Sequence, residues 1–344
     1  MMLAAQYVTG KGIEVAVVGP EPPGRGEVRI AVAYVGICGT DLHILAGHMD
    51  ERVPDHGVIG HEVSGQVAAV GDGVTDWAPG DPVTVMPLRW CGECPTCRAG
   101  HTHICDRLDF VGIDSPGGMQ QLWNVPQELL VPLPPGLALR DAALVEPVAV
   151  AHHDVSRAAL TEGEAALVVG GGPIGVLIAV VARTRGARVL LVEPDPYRRS
   201  VVAGLGIDVL DPAAADLTAQ LDTWSQGAGA AVTFEVSGTQ AGLDLAVSSL
   251  GARGRLVVVG IHAEPRRVDM KRVFWKELQF LGARVYQHAD FVAAVQLLAE
   301  GAIPVEALVS RVDALADAPA AFQRLAEGGR VMKVLVDCRS GGTA

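Results

Sequence analysis

The segment 36–62 holds residue types that suit a catalytic metal site. Cys38 opens the run Cys-Gly-Thr-Asp-Leu-His, and His61 lies in the run Gly-His-Glu. A thiolate, an imidazole and a nearby carboxylate are ligands that Zn2+ accepts together while one position stays open for substrate. We therefore interpret Cys38 and His61 as zinc ligands. Taken alone, they fit equally well as a buried small cysteine and a hydrogen-bonded core histidine, but the rest of the chain argues against that alternative.

Thr40 and His43 lie three residues apart in the same segment. On a helical turn their hydroxyl and imidazole share one face, so a proton can pass between them. The spacing predicts a proton path out of a closed site. Asp41 is predicted to orient His61 by accepting a hydrogen bond from its free ring nitrogen.

A compact cluster of cysteines forms a second group of metal-binding residue types. Three cysteines are spaced three positions apart, and a fourth follows after seven intervening residues. Four thiolates this close favour a closed, tetrahedral structural zinc, with an iron–sulfur cluster or a redox pair as alternatives. His101 and His103 are interpreted as solvated loop residues, because four sulfurs complete the coordination. The cluster consists of Cys91, Cys94, Cys97 and Cys105, in a lobe at about residues 89–107.

The composition excludes several classes of protein. With 344 residues the chain is long enough for two domains, and 49% hydrophobic residues fit a globular protein. The formal net charge of -12 comes without a basic tract, so nucleic acid and anionic membranes are not expected partners. The start of the chain lacks signal-peptide features and most cysteines lie in metal-type contexts, so we expect a reducing, cytoplasmic location.

Two patterns divide the chain. Residues 13–131 contain short valine-rich runs between Gly and Pro clusters, which predicts a mostly antiparallel, barrel-like β domain. From Glu164 onward, strand and helix patterns alternate over about six strands, which predicts a doubly wound parallel sheet. The long apolar run 165–182 is broken by glycines and a proline, so it is interpreted as strand, turn and helix. We predict an α/β protein with a dinucleotide-binding domain at 149–287, inserted in a catalytic domain of residues 1–148 and 288–344.

The first turn of the alternating region, residues 170–175, reads Gly-Gly-Gly-Pro-Ile-Gly, a G-x-G-x-x-G pattern between a strand and a helix. Its glycines let the backbone reach a pyrophosphate at the helix N-terminus. Glu193 ends the next strand, where a carboxylate binds the ribose hydroxyls and repels a 2'-phosphate, so NAD is predicted over NADP. Arg198 and Arg199 argue the other way, because a guanidinium there would attract that phosphate.

The Cys38 and His61 motifs together resemble the medium-chain, zinc-dependent alcohol dehydrogenase superfamily, and the cysteine lobe is similar in spacing to its structural zinc lobe. The resemblance covers nearly the whole chain and implies a Rossmann domain inserted in a GroES-like catalytic domain. In the polyol, butanediol and threonine branch a Glu-Pro supplies a carboxylate to the zinc, which makes Glu146 the third ligand. Glu62 is then an exchangeable fourth ligand or a neighbour of the ligands. A homodimer or homotetramer is also implied.

By the same resemblance Gly260 and Ile261 approach the nicotinamide, whereas His262 fits an ordinary strand end equally well. The predicted cofactor contacts are therefore Gly170, Gly172, Pro173, Ile174, Gly175, Glu193, Arg198, Gly260 and Ile261.

The implied reaction is reversible oxidation of a secondary alcohol to a ketone, with hydride transfer to NAD. Zinc would lower the pKa of the substrate hydroxyl, and the proton would leave through Thr40, the nicotinamide ribose and His43. Catalytic roles are predicted for Thr40, His43 and Glu62.

The expected substrate is a small vicinal diol, since the chain resembles the 2,3-butanediol dehydrogenases. Ile44 and Val285-Tyr286 stand where sorbitol dehydrogenases carry polar groups, which counts against a long sugar alcohol. L-threonine 3-dehydrogenase and sugar-alcohol dehydrogenase remain alternatives. A non-enzymatic binding protein on this fold would be expected to lose the ligand or relay residues, and a nucleic-acid-binding zinc ribbon would need a basic lobe.

Overall fold

The structure is a computed structural model that describes residues 1–339. The chain divides into two compact units. The first unit comprises Met1–Glu146, Gln287–Gly301 and the chain from Leu308 onward, and the second comprises Pro147–Tyr286 and Ala302–Ala307. Within residues 1–339, no helix is both long enough and apolar enough to cross a membrane.

The first part of the chain consists of short strands and short helices. The strands are β1 (Met2–Val8), β2 (Gly12–Val18), β3 (Glu27–Gly36), β4 (Gly57–Val58), β5 (Glu62–Val70), β6 (Pro82–Val85), β7 (Leu88–Arg89), β8 (Asp109–Phe110), β9 (Leu122–Pro126) and β10 (Leu130–Pro132). The helices are α1 (Gly39–Leu45), α2 (Pro95–Arg98), α3 (Leu139–Ala142) and α4 (Val145–Arg157), with 3-10 turns at Thr102–Ile104 and Gln127–Leu129.

The second unit alternates strand and helix. Its strands are β11 (Ala165–Val169), β12 (Arg188–Val192), β13 (Asp208–Leu210), β14 (Ala230–Glu235), β15 (Leu250–Val258) and β16 (Gln279–Gly282). Its helices are α5 (Pro173–Thr184), α6 (Pro196–Gly204), α7 (Leu217–Trp224), α8 (Gln240–Ser249) and α9 (Met270–Lys276). The strands form one parallel sheet in the order β13-β12-β11-β14-β15-β16. All five residues of β11 are buried, as expected of a strand covered on both faces. This order reverses between β11 and β14, where a doubly wound sheet binds its ligand, so the predicted fold class is confirmed.

The remaining elements belong to the first unit, except that residues 302–307 are part of the second. They are α10 (His288–Ala299), α11 (Val305–Leu308), β17 (Val309–Ala314), a 3-10 turn at Leu315–Asp317, α12 (Ala318–Glu327) and β18 (Lys333–Asp337). Strand β18 pairs antiparallel with β3 and parallel with β17 in a mixed sheet of order β10-β6-β5-β3-β18-β17. Strand β18 thereby lies directly beside β3.

Strands β3 and β5 carry the candidate site to the edge of this sheet. They pair antiparallel so that Gly36, the last residue of β3, lies opposite Glu62, the first residue of β5. A Cβ atom at Gly36 would collide with the carboxylate of Glu62, so only glycine leaves room for that side chain. The pairing brings together two segments of the chain that are 26 positions apart in sequence, from Gly36 to Glu62.

Candidate functional site

Cys38 lies at the start of α1, immediately after β3. It is the N-cap residue with extended backbone, and its N–H donates to Asp41 Oδ2 at 2.8 Å. Asp41 is fully buried in the first turn of the helix, where a carboxylate stabilises the free N–H groups. The half-buried Cys38 Sγ lies 3.8 Å from the Thr40 hydroxyl. The thiol is therefore fixed by the helix start.

His61 and Glu62 reach the same place from the start of β5. The ligand atoms of Cys38, His61 and Glu62 all lie within 4.8 Å of one another. His61 is only 2% exposed, and its Nδ1 lies 3.7 Å from Asp41 Oδ1. The predicted orienting contact thus takes the form of a close approach rather than a full hydrogen bond.

Lys333, the first residue of β18, completes the surroundings of Glu62. Its buried ammonium donates to Glu62 Oε1 and, at 3.1 Å, to the carbonyl of Ile37. The other carboxylate oxygen, Glu62 Oε2, is buried with no hydrogen-bond partner within the part of the chain that the structure describes. An unsatisfied buried carboxylate oxygen is costly, and a metal ion in the cluster would supply its missing partner.

The charges in this cluster favour a cation. Burial opposes a charged imidazole, but Asp41, Cys38 and Glu146 outweigh it and raise the pKa of His61 to about 10. Burial likewise opposes the charge on Lys333, yet Glu62 and Cys38 raise its pKa. The site thus concentrates negative charge, and its S, N and O donors fit Zn2+.

Glu146 lies in the first turn of α4 and is 5% exposed. Its charge contributes to the raised pKa of both His61 and Lys333, so the carboxylate belongs to the same electrostatic environment. The compact donor cluster nevertheless contains Glu62 as its carboxylate. The choice between Glu146 and Glu62 as the third ligand stays a prediction.

Thr40 and His43, the two residues of the predicted proton path, both lie on α1. Thr40 contacts the thiol of Cys38, and His43 is exposed, with its Nδ1 3.5 Å from Nδ1 of His48. Thr40 is thus beside the donor cluster and His43 faces solvent, and their relay role stays a prediction. The sequence analysis did not anticipate His48.

The four-cysteine lobe forms a separate cluster. The Sγ atoms of Cys91, Cys94, Cys97 and Cys105 all lie within 4.8 Å of one another, and all six cysteines of the chain are free of disulfides. Backbone N–H groups point at these sulfurs, for example Cys94 N to Cys91 Sγ at 3.4 Å and Cys97 N to Cys94 Sγ at 3.3 Å. Backbone hydrogen bonds, that of Glu93 first, lower the pKa of Cys91 to about 6. Such donors stabilise thiolates, which are the form that binds zinc.

In the second unit, the glycine-rich turn joins β11 to α5. Gly170 has φ +111°, which a side chain would strain, and a Cβ at Gly175 would collide with the Gly170 carbonyl. Glu193 is buried just after β12, and its carboxylate accepts from Gly171 N at 2.5 Å and Asp195 N at 2.8 Å. These contacts hold the acidic side chain against the turn that would receive the pyrophosphate. Gly172 is the N-cap of α5, with Pro173 and Ile174 as its first residues.

Two arginines follow Glu193 on α6. Arg199 donates to the carbonyls of Glu193 and Pro194 and pairs with Asp211 at 2.8 Å. A Cβ on Gly172 would lie 3.8 Å from the Arg198 guanidinium, which is therefore beside the turn. Of the two cations, Arg199 is engaged in holding the β12–α6 connection.

The predicted nicotinamide contacts, Gly260 and Ile261, follow the end of β15. Gly260 packs against the turn after β14, and Ile261 is 70% exposed. The sequence analysis assigned no role to Lys333, the first residue of β18, or to Glu235, the last residue of β14. The available signal was a charged residue directly beside an apolar run, because a charge that becomes buried requires a partner.

Comparisons with known proteins agree with this architecture. Residues 24–135 match the family model described as "Alcohol dehydrogenase GroES-like domain", and residues 173–300 match "Zinc-binding dehydrogenase". The chain is 48% identical to the 2-dehydro-3-deoxy-L-galactonate 5-dehydrogenase of Pseudoalteromonas atlantica, over 98% of this chain and 99% of the relative.

Two solved structures share the fold. One is the 2R,3R-butanediol dehydrogenase from Bacillus subtilis, with 31% identity, a TM-score of 0.91 and coverage of 98% of this chain and 99% of that one. The other is a zinc-binding dehydrogenase from Sinorhizobium meliloti bound to NADP, with 30% identity, a TM-score of 0.91 and the same coverage.

Proposed function

Because the chain belongs to the zinc-dependent medium-chain alcohol dehydrogenases, we propose that it oxidises a secondary hydroxyl of a sugar acid to a ketone, reversibly. It is an alcohol-type dehydrogenase of the polyol and sugar-alcohol group. The observation that carries the substrate class is the 48% identity, along nearly the full length of both chains, to an enzyme named for a deoxygalactonate.

The proposed catalytic zinc ligands are Cys38 and His61, together with Glu146 or Glu62. The unpartnered Glu62 oxygen and the negative charges of Asp41, Cys38 and Glu146 around His61 support a cation at this place. A bound zinc ion would supply polarisation of the substrate hydroxyl. Lys333 neutralises one carboxylate and holds it in position. The four-cysteine lobe is the proposed structural zinc site.

Thr40 and His43 carry the proposed proton path. The Thr40 hydroxyl adjoins the thiol and can take the substrate proton, and the exposed His43 can deliver it to water. The contact between His43 and His48 extends the path by one imidazole at the surface.

NAD is the proposed hydride acceptor. A buried carboxylate at Glu193 would bind ribose hydroxyls and repel a 2'-phosphate, and Arg199 is held by Asp211. Arg198 and the NADP in one related structure argue for NADP as the competing choice. The ratio of kcat/KM for NAD to that for NADP tests this directly, and a ratio below one would contradict it.

A homo-oligomer is also proposed. Strand β16 is the end strand of its sheet and carries the exposed Phe280. The preceding helix α9 exposes Met270, Phe274 and Trp275, the last two by more than 70%. Large exposed apolar groups near a free strand edge favour pairing with a second copy about a two-fold axis. Light scattering of the double variant Phe274→Ser/Trp275→Ser tests the assignment, because an unchanged mass would contradict it.

The substrate test compares matched pairs of compounds. NADH formation is measured with L-galactonate and with galactitol, which has an alcohol group in place of the carboxylate, and with all stereoisomers of 2,3-butanediol. We expect kcat/KM to be at least about tenfold higher for the sugar acid, roughly 1.4 kcal/mol of transition-state binding. Equal rates for acid and alditol would contradict a sugar-acid site.

A small vicinal diol is the second candidate. It is favoured by the similarity to the butanediol dehydrogenase structure and by the apolar Ile44 and Val285. Turnover confined to one butanediol stereoisomer in the same panel would establish it in place of the sugar acid.

A further inference from the structure

Glu235 is a fully buried carboxylate at the end of β14, outside both cysteine clusters. Its Oε1 accepts from the N–H of Ser237 at 2.9 Å, the hydroxyl of Ser237 at 2.5 Å and the N–H of Gly238 at 3.0 Å. One oxygen thus organises the whole turn that follows β14. The second oxygen, Oε2, faces the loop after β15, where His262 Nε2 lies 2.9 Å away, a close polar contact whose geometry in the described residues is not that of a hydrogen bond.

His262 continues this chain of contacts to Arg266. The imidazole Nδ1 accepts from Arg266 Nε at 3.2 Å, and the same guanidinium donates to the carbonyl of Gly238 at 3.2 Å. Arginine is only a donor, so Nδ1 must be the acceptor, which leaves the proton on Nε2, facing Glu235. The contacts run from Glu235 through His262 and Arg266 and return to the turn after β14.

The backbone enclosed by these contacts is the predicted nicotinamide loop. A Cβ at Gly260 would lie 2.5 Å from Gly238 N and 2.9 Å from Glu235 Oε2, so the loop packs directly on the clasped turn. Ile261, the next residue, is 70% exposed. Residues 259–269 contain neither helix nor strand. Backbone hydrogen bonds from Val259 N and Gly260 N to the Glu235 carbonyl hold the start of this loop, and the side-chain contacts of His262 and Arg266 add to them farther along.

Burying a carboxylate is costly unless several donors, some of them charged, repay it. Glu235 has three donors within its own turn, and these would suffice for a local cap. The contact of Oε2 with His262 in addition links the turn after β14 to the loop after β15. This link contributes to function only if the position of one loop relative to the other matters.

We propose that Glu235, His262 and Arg266 form a loop clasp that presets residues 259–262 to receive the nicotinamide ring. They act as positioning residues and need not touch the substrate. This proposal rests on the proposed use of a nicotinamide cofactor. The free-energy cost of burying the Glu235 carboxylate is then explained by its part in pre-organising a binding loop.

The experiment uses His262→Leu, His262→Gln and Arg266→Leu, with Arg267→Leu as the matched control. In His262→Gln the amide nitrogen can donate to Glu235 and the amide oxygen can accept from Arg266, so it should restore the clasp. The dissociation constants of NADH and of ADP-ribose, which lacks the nicotinamide, are measured by calorimetry. Amide hydrogen exchange of residues 258–268 is followed in the cofactor-free protein.

We expect His262→Leu and Arg266→Leu to weaken NADH binding about tenfold, to leave ADP-ribose binding within about twofold, and to speed exchange of residues 258–268 about tenfold or more. His262→Gln and Arg267→Leu should behave as the parent protein. Equal weakening of both ligands would overturn the clasp, because it would indicate general damage to the domain. Unchanged exchange in His262→Leu would also overturn it.

Failure of the proposed function has a different signature. If the parent protein bound neither NADH nor NADPH, the cofactor assignment would fail, and with it the role of the clasp. Faster exchange in the variants would then show only a structural contact. Binding of NADH by the parent, with unchanged affinity in His262→Leu, contradicts the clasp alone.

Discussion

The two cysteine-containing clusters of the first unit stabilise their closely spaced donor groups in different ways. The lobe uses four sulfurs and satisfies them with backbone N–H groups from its own short segment. The cluster at Cys38 combines three donor types and relies on side chains from distant strands, Lys333 among them. A closed local site needs little from the rest of the fold, whereas a site that must admit substrate depends on it.

The difference extends to how charge is handled. In the lobe, backbone hydrogen bonds lower the pKa of the half-buried Cys91, while burial raises the pKa of Cys97. In the cluster of Cys38, His61 and Glu62, called the mixed cluster below, His61 and Glu62 are buried, and the ammonium of Lys333 offsets the charge of the Glu62 carboxylate. Changes at the mixed cluster should therefore alter chemistry and burial energies, while changes at the lobe should alter folding.

The largest effect is expected for Cys38→Ser. Loss of the thiolate removes a ligand from the mixed cluster, so kcat/KM should fall by at least about 10⁴-fold, roughly 5 kcal/mol of transition-state stabilisation. Zinc content should drop from two to one per chain with an unchanged circular dichroism spectrum. Full activity in this variant would show that the catalytic-zinc assignment is wrong.

Cys97→Ser should give the opposite pattern. The lobe would lose its metal and about 4 kcal/mol of stability, because metal binding and folding of such a segment are coupled. Chains that remain folded at low temperature should keep most of their turnover. The measurement is thermal unfolding alongside activity at 10 °C, and loss of activity without loss of stability would contradict a structural role.

Lys333→Met should destabilise the first unit by about 3 kcal/mol, because it leaves the Glu62 carboxylate buried without its ammonium partner. The double variant Lys333→Met/Glu62→Gln should recover part of that loss. Urea denaturation provides the measurement, and the exposed Lys11→Met serves as the control. If Lys333→Met behaves like Lys11→Met, the buried pair does not contribute as described.

The smallest effect is expected for Arg107→Gln. The ion pair of Arg107 with Glu93 is exposed on both sides, and solvent screens such pairs, so the free energy of unfolding should barely change. The backbone N–H of Arg107, which donates to Cys105 Sγ, is unaffected by the substitution. A loss of zinc from the lobe in this variant would mean that side-chain charge, and not the backbone, holds the cluster.

Local spacing explains what the sequence could predict. The cysteine lobe and the turn at 170–175 are each formed by short segments, so the residue types and intervals nearly determine the geometry. The alternation of strands and helices likewise predicted the parallel sheet, and the structure and family matches confirm it. Cys38, His61 and Glu62 could be grouped from their residue types and short motifs, and the pairing of β3 with β5 brings them together although α1 and β4 lie between those strands in sequence.

Contacts between distant segments were beyond the sequence. Nothing near Lys333 indicates that β18 pairs with β3, so the partner of Glu62 could not be deduced. The same holds for His262, whose position against Glu235 depends on the packing of two parallel strands. A charged residue at the end of an apolar strand, such as Lys333 or Glu235, indicates that a polar or charged partner exists. Only the order of the strands in the sheet shows which residue that partner is.

The contact between Glu62 and Lys333 spans 271 positions of the chain, which has a consequence for synthesis. At about 5–20 residues per second, a ribosome needs roughly 14–54 s to translate that interval. Through this time Cys38, His61 and Glu62 have emerged without the strand that completes their surroundings. The nearly contiguous second unit can fold during the wait. Assembly of the mixed cluster is therefore among the last events of biogenesis, and a nascent chain truncated before β18 should lack it.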